Sequence, residues 1–186
     1  ARGADVVMTD PEHASGTDRL AEVADKLALR ADQIVVNLQG DEPLMPVANI
    51  QHVAAMLSER PGADMATLME PLDHAHAQLP SVVKVVASNS GRAMYFSRPP
   101  IPAQRDNSPP APMCRHVGLY AYRAGFLAQF VSWEPSQIEA SESLEQLRAL
   151  AYDAHIQIDL APEPVPAGVD TEEDLAASRR LLAAGR

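Results

Sequence analysis

Apolar residues recur along this chain in two rhythms, and their alternation predicts strands and helices in turn. Val6-Val7-Met8, after Asp5, is a short apolar run predicted as a buried strand over residues 5–8. Thr17 and Asp18 offer helix-initiating side chains, and Leu20, Val23, Ala24 and Leu27 then fall at i, i+3, i+4 and i+7. Ile34-Val35-Val36-Asn37-Leu38 is β-branched and almost uniformly apolar, as a central parallel strand should be. Pro46 suits the first turn of a second helix with a stripe of Ile50, Val53, Ala54 and Leu57, and Pro61-Gly62 stops it.

Residues 65–69 and 82–86 read as further strands. The turn Asn89-Ser90-Gly91 predicts a hairpin between the second of these and Arg92-Ala93-Met94-Tyr95-Phe96. Residues 99–112 hold six prolines and form one long irregular segment, a loop suited to covering a site. Arg115 to Arg123 then alternates with period two: His116, Gly118, Tyr120 and Tyr122 share one face, Val117, Leu119 and Ala121 the other. A helix over residues 141–152 would bury Leu144, Leu147 and Leu150. A last strand follows at 155–160, and Thr171 caps a final helix whose Glu172, Glu173 and Asp174 suit its N-terminal dipole. Strands alternating with helices predict an α/β three-layer sandwich around a mostly parallel mixed sheet.

Composition narrows the function classes. Apolar residues make up 46% and charged residues 22% of the chain, which is ordinary for a globular protein. No apolar run approaches the length of about 20 residues that crosses a bilayer, and no basic-then-apolar leader is visible. A cytoplasmic protein without membrane insertion is therefore expected. Cys114 is the only cysteine, which excludes an internal disulfide and a multi-cysteine zinc site. A formal charge of -10 argues against nucleic acid as a partner. It leaves room for a nucleotide whose phosphates are screened by a metal held on acidic side chains.

Two loops at predicted strand ends carry polar residues that packing does not require: Gln39-Gly40-Asp41-Glu42-Pro43 and Gly168-Val169-Asp170-Thr171. Gly40 permits close backbone approach to a ligand, and Asp41 is a hard oxygen ligand. Asp41 and Asp170 could converge on one Mg²⁺, which typically takes one or two carboxylates with phosphate and water. Asp41 could equally be a helix-starting acid, and Asp170 could share a capping role with Thr171. His116 and Tyr120 could be a partly buried polar pair, and Glu145 and Gln146 would ordinarily face solvent. His74 and His76 have no third ligand and are assigned no metal, while Met65, Met69 and Met94 read as core.

The segment from Val36 to Pro46, VNLQGDEPLMP, resembles the signature loop of the 3-deoxy-manno-octulosonate (Kdo) cytidylyltransferases. The likeness continues in order through 13–19 (HASGTDR), 93–98 (AMYFSR) with Ile101-Pro102, 115–123 (RHVGLYAYR), 144–148 (LEQLR) and 168–171 (GVDT). What the resemblance implies is a nucleotide-diphospho-sugar transferase-like fold and a homodimer. It also implies transfer of a cytidylyl group from CTP to Kdo for lipopolysaccharide biosynthesis. Asp41 and Asp170 would be the catalytic metal ligands for Mg²⁺. Ser15, Gly16, Thr17, Arg19 and Gln39 would lie at the nucleotide, and Arg98, His116, Tyr120, Glu145 and Gln146 at the sugar acid.

The family's pattern also opens with a strand and a triphosphate loop bearing Arg, Ser and Lys, for which this sequence has no counterpart. Residues 1–186 are thus expected to form one cytidylyltransferase domain, shortened at its N-terminus by two βα units, about 60 to 70 residues. Weak triphosphate binding follows from that expectation. A sugar-binding or dimerisation fragment without catalysis, or an enzyme for another acidic sugar such as sialic acid, are the alternatives.

Overall fold

The computed structural model describes residues 3–13, 15–106, 111–169 and 171–184. Helix α1 (Gly16–Lys26) opens on Ser15, whose extended backbone lets its Oγ accept from the amide of Asp18 at 3.2 Å. Thr17 and Asp18, expected to start the helix, lie inside it, and the Thr17 side chain is turned into the core. Strand β1 (Ile34–Asn37) leads to α2 (Val47–Glu59), for which Pro46 is the N-cap. Next come β2 (Met65–Leu72), β3 (Lys84–Ala87) and β4 (Ala93–Ser97), the last two forming the expected antiparallel hairpin. Its turn needs glycine at 91, where φ is +75° and an added Cβ would lie 2.5 Å from the Gln157 side chain.

Strand β5 (Met113–Arg123) runs directly into α3 (Ala124–Val131). The helix expected over 141–152 is two helices, α4 (Gln137–Glu142) and α5 (Gln146–Ala151). Ser143, in the left-handed region at φ 51°, ends the first, and a capping box on Ser136 and Glu139 starts it well before the Leu stripe. Strand β6 (Ile156–Leu160) precedes α6 (Glu172–Ala184). Thr171 caps α6 as expected, its Oγ accepting from the Asp174 amide at 3.2 Å.

The sheet has the order β4-β3-β5-β2-β6, with β1 also paired to β5. β2 and β6 are parallel neighbours, while β5 lies antiparallel to β1, β2 and β3. Strands β1, β2, β3 and β6 therefore point one way and β4 and β5 the other, a mixed sheet in which the central strand opposes its neighbours. Where β2 passes from Thr67 to Leu68, β5 passes from Tyr120 to Val117, so Gly118 and Leu119 are two extra residues on β5.

Two cores sit on the two sides. Val53, Leu57, Ala66, Leu68, Val117, Leu119 and Ala121 pack between the sheet and α2. On the other side Met65, Phe96, Tyr122, Ile156 and Ile158 meet Ala24 of α1, Leu127 of α3 and Leu147 of α5. Each fully buried Leu contributes about 1.5–3 kcal/mol by leaving water. The result is the expected three layers.

Other sequence expectations fail. Among the described strands the sheet is mostly antiparallel rather than mostly parallel, only β2 and β6 pairing in parallel, and β1, expected as a central parallel strand, is antiparallel to β5. Residues 5–8 form no strand: Val6 and Met8 are 74% and 79% exposed, and the segment pairs with no described strand. Side chains hold this stretch instead, with Lys26 donating to the Met8 carbonyl at 2.7 Å. Met94 is not core, because it is the outward position of β4 and is 63% exposed. Met65 is buried as expected, and Met69 packs against the core.

Candidate active site

β1 and β6 end at the same edge of the sheet, and each releases one of the polar loops there. Asp41 is exposed, and its carboxylate makes no hydrogen bond or ion pair among the described residues. The segment from Ala161 to Val169 returns across this edge and is clipped at intervals. Asn49, fully buried in α2, donates to the Glu163 carbonyl at 2.9 Å and accepts from its amide at 3.0 Å. Two residues on, Val165 donates to Glu70 Oε1 at 2.7 Å and accepts from Arg115 at 3.0 Å, and Arg115 and Glu70 pair with each other. Side chains thus give this strap the alternate-residue bonding that a neighbouring strand would supply.

The last clip joins the two loops. The Val169 amide donates to the Asp41 carbonyl at 2.8 Å. A Cβ on Gly168 would sit 3.2 Å from Glu42 Oε1 and 3.3 Å from the Asp41 carbonyl, so glycine is what permits this approach. Asp170, the next residue along the chain, lies outside the described residues. An exposed, unneutralised carboxylate with hard oxygen atoms suits Mg²⁺. Gln39, on the same loop, is exposed and its carbonyl accepts from the Glu42 amide at 3.2 Å.

The second polar group lies on the face of β5 away from α2. His116 Nε2 stands 2.9 Å from the Thr67 hydroxyl, which also reaches the carbonyls of Val117 and Leu119 at 3.1 and 2.9 Å. Thr67 has a single proton for these three positions, and whether it donates to His116 Nε2 or accepts from it follows the tautomer of the ring. Burial, with the neighbouring Arg115 charge, pushes the His116 pKa down to about 3, which keeps the ring neutral. Tyr120 lies 5.3 Å from His116 and 5.7 Å from Tyr122, ring to ring, and burial raises the pKa of both phenols. Thr17 donates to Glu145 Oε2 at 2.5 Å. Glu145 Oε1 is buried without a partner. Gln146 beside it is 8% exposed, so this pair does not face solvent as its place near a Leu stripe would suggest.

The arginines are tied to the backbone. Arg98 donates to the carbonyls of Glu142, Ser143 and Pro80 at 2.6, 3.1 and 3.0 Å, and its amide meets Glu142 Oε2 at 2.8 Å. It fixes the break before Glu145 and Gln146. Arg19 bonds the Thr9 hydroxyl and the Asp10 carbonyl, and Ser15 Oγ lies 2.9 Å from Asp18 Oδ2. Gly16 opens α1 beside them. The structure therefore groups Thr17, His116, Tyr120 and Glu145 on one side of the sheet, and the Asp41 loop with the Gly168 segment at its edge. Thr67, Asn49, Glu70 and Arg115 join these groups, yet sequence reasoning did not single them out. A lone hydroxyl in the apolar run 65–69 is the one signal that pointed to Thr67.

A mixed sheet between helical layers, with polar loops gathered where co-directed strands end, is the architecture of a nucleotide-handling α/β transferase. Comparison with known proteins specifies it. Residues 1–158 match the cytidylyltransferase family. The 3-deoxy-manno-octulosonate cytidylyltransferase of Chromohalobacter salexigens is 55% identical over 98% of this chain and 74% of its own length. That of Pseudomonas syringae pv. tomato is 54% identical over 99% and 76%, and that of Vibrio cholerae serotype O1 52% identical over 98% and 75%. A solved CMP:2-keto-3-deoxy-manno-octonic acid synthetase complexed with CTP superposes with a TM-score of 0.92 at 39% identity, covering 100% of this chain and 75% of the other. The chain belongs to the cytidylyltransferase family, in its 3-deoxy-manno-octulosonate branch.

Proposed function

We propose that this protein transfers the cytidylyl group of CTP to Kdo, giving CMP-Kdo and pyrophosphate for lipopolysaccharide synthesis in the cytoplasm, and that it acts as a homodimer. The observation that carries the reading is the bond between Val169 and Asp41 in a chain of this family. It ties the segment leading to Asp170 against the loop of the other carboxylate. In the reaction the anomeric 2-hydroxyl of Kdo bonds to the α-phosphorus, the bridging P–O bond to pyrophosphate breaks, and the hydroxyl proton leaves to solvent. The protein's share is to align two anions and offset the charge that develops between them.

Asp41 and Asp170 are the residues that would hold Mg²⁺. When bound there, the ion lowers the pKa of the attacking hydroxyl and screens the phosphates. The turn Ser15-Gly16-Thr17, with Arg19 and Gln39, faces the nucleotide. His116, Tyr120, Glu145 and Gln146 take the sugar acid, with Arg98 at the break that presents the last two. His116 stays neutral at working pH, so it offers hydrogen-bonding nitrogen rather than charge to the Kdo hydroxyls.

Asp41→Asn tests the reading. Mg²⁺-dependent pyrophosphate release from CTP and Kdo should fall by about 100-fold or more, as for loss of a group that stabilises developing charge. Undiminished release would remove Asp41 from its role, and faster turnover with N-acetylneuraminate than with Kdo would reassign the sugar. Light scattering that reports only monomer would end the dimer.

A further inference from the structure

Thr17 sits in a segment read as nucleotide-facing, yet its side chain is 2% exposed and points away from the surface. Its hydroxyl makes a bond whose direction is fixed by what each atom can do. Glu145 Oε2 only accepts, so Thr17 spends its single proton there, at 2.5 Å. The bond ties the first turn of α1 to the N-cap of α5 and ends on a carboxylate.

That carboxylate is unfinished. Glu145 Oε1 is buried and bonded to nothing, the kind of orphan that costs free energy unless a ligand completes it. Oε2 is held, Oε1 is free, and Tyr120 of the sugar-facing group is close enough for the Glu145 charge to raise its pKa. We propose that Thr17 is a positioning residue for acceptor recognition: its hydroxyl holds Glu145 in the rotamer that aims Oε1 at a hydroxyl of the sugar acid. This rests on the functional reading above and gives Thr17 a side-chain role on the sugar side rather than the nucleotide side.

The test is a comparison of Thr17→Val and Thr17→Ser with the unaltered protein, measuring pyrophosphate release while CTP and Kdo are varied separately. Thr17→Val should raise KM for Kdo by about 10-fold with KM for CTP within about 2-fold, and Thr17→Ser should restore the Kdo value. In a Glu145→Gln background, Thr17→Val should add no further rise. Equal rises in both KM values, no rise for Kdo, a serine variant as impaired as valine, or additive effects with Glu145→Gln would each overturn the proposal. Should Thr17→Val not fold, Thr17→Cys, a similar shape with a weaker donor, is read by the same split. Unaltered protein that releases no pyrophosphate from CTP and Kdo would sink the functional reading itself, which these splits do not.

Discussion

The two faces of β5 share one backbone and have opposite chemistry. Toward α2 the strand presents Val117, Leu119 and Ala121, all nearly inaccessible and surrounded by aliphatic side chains. Toward α1 and α5 it presents His116, Tyr120 and Tyr122, packed as rings, with His116 bonded to Thr67. The aliphatic face supplies burial without direction, so its members can be judged by volume alone. On the aromatic face the hydroxyls of Thr67 and Thr17 have named polar partners, and one atom, Glu145 Oε1, is left open. An aliphatic layer and a polar, aromatic one are thus placed back to back on a single strand.

The separation can be tested by disturbing one face at a time. Leu119→Ala should give the largest effect, a loss of about 3 kcal/mol in urea unfolding, with KM for Kdo unchanged within about 2-fold. A matching rise in that KM would show that the faces are not independent. Acid acts on the other face. The unfolded chain binds a proton at His116 below its ordinary pKa of 6.5, whereas the folded chain does so only near pH 3. This contribution is complete above pH 6.5 and drains as pH falls, by about 2 kcal/mol between pH 6.5 and 5. His116→Gln should flatten that part of the stability curve; an unchanged slope would place the acid sensitivity elsewhere.

The same His116→Gln variant should raise KM for Kdo about 10-fold while costing less stability than Leu119→Ala, and the reverse ranking would break the contrast. The smallest effect is expected at the strap. Glu70→Gln keeps a carbonyl for the Val165 amide but loses the charge that pairs with Arg115. The Mg²⁺ concentration for half-maximal heat of binding should rise at most about 5-fold, the scale of losing a partly exposed ion pair worth up to about 1 kcal/mol. An unchanged titration would detach the strap from metal placement.

Local pattern revealed most of the frame and little of the wiring. The alternation from Arg115 to Arg123 assigned both faces of β5 correctly, because period two survives in the folded strand. It could not reveal the two extra residues, which exist only relative to β2. Val6 and Met8 looked like a strand because apolar β-formers need an edge to pair with, and sequence does not display edges. The Leu stripe at 144, 147 and 150 was real, but Ser143 breaks the helix through a backbone angle that serine seldom adopts. Asp41, His116, Tyr120, Glu145 and Gln146 were singled out by resemblance. Asn49, Glu70 and Arg115 were not, since each acts on a segment distant in sequence.

The surplus in β5 is an even number, and that arithmetic has a consequence for change. Parity decides which layer each side chain upstream of Gly118 enters. Loss or gain of one residue between Val117 and Tyr120 would rotate His116 into the aliphatic layer and drive Val117 among the rings. Loss or gain of two would leave both where they are. Variation in length here is tolerable only in pairs, so a single-codon deletion in this short span should be more damaging than a double one.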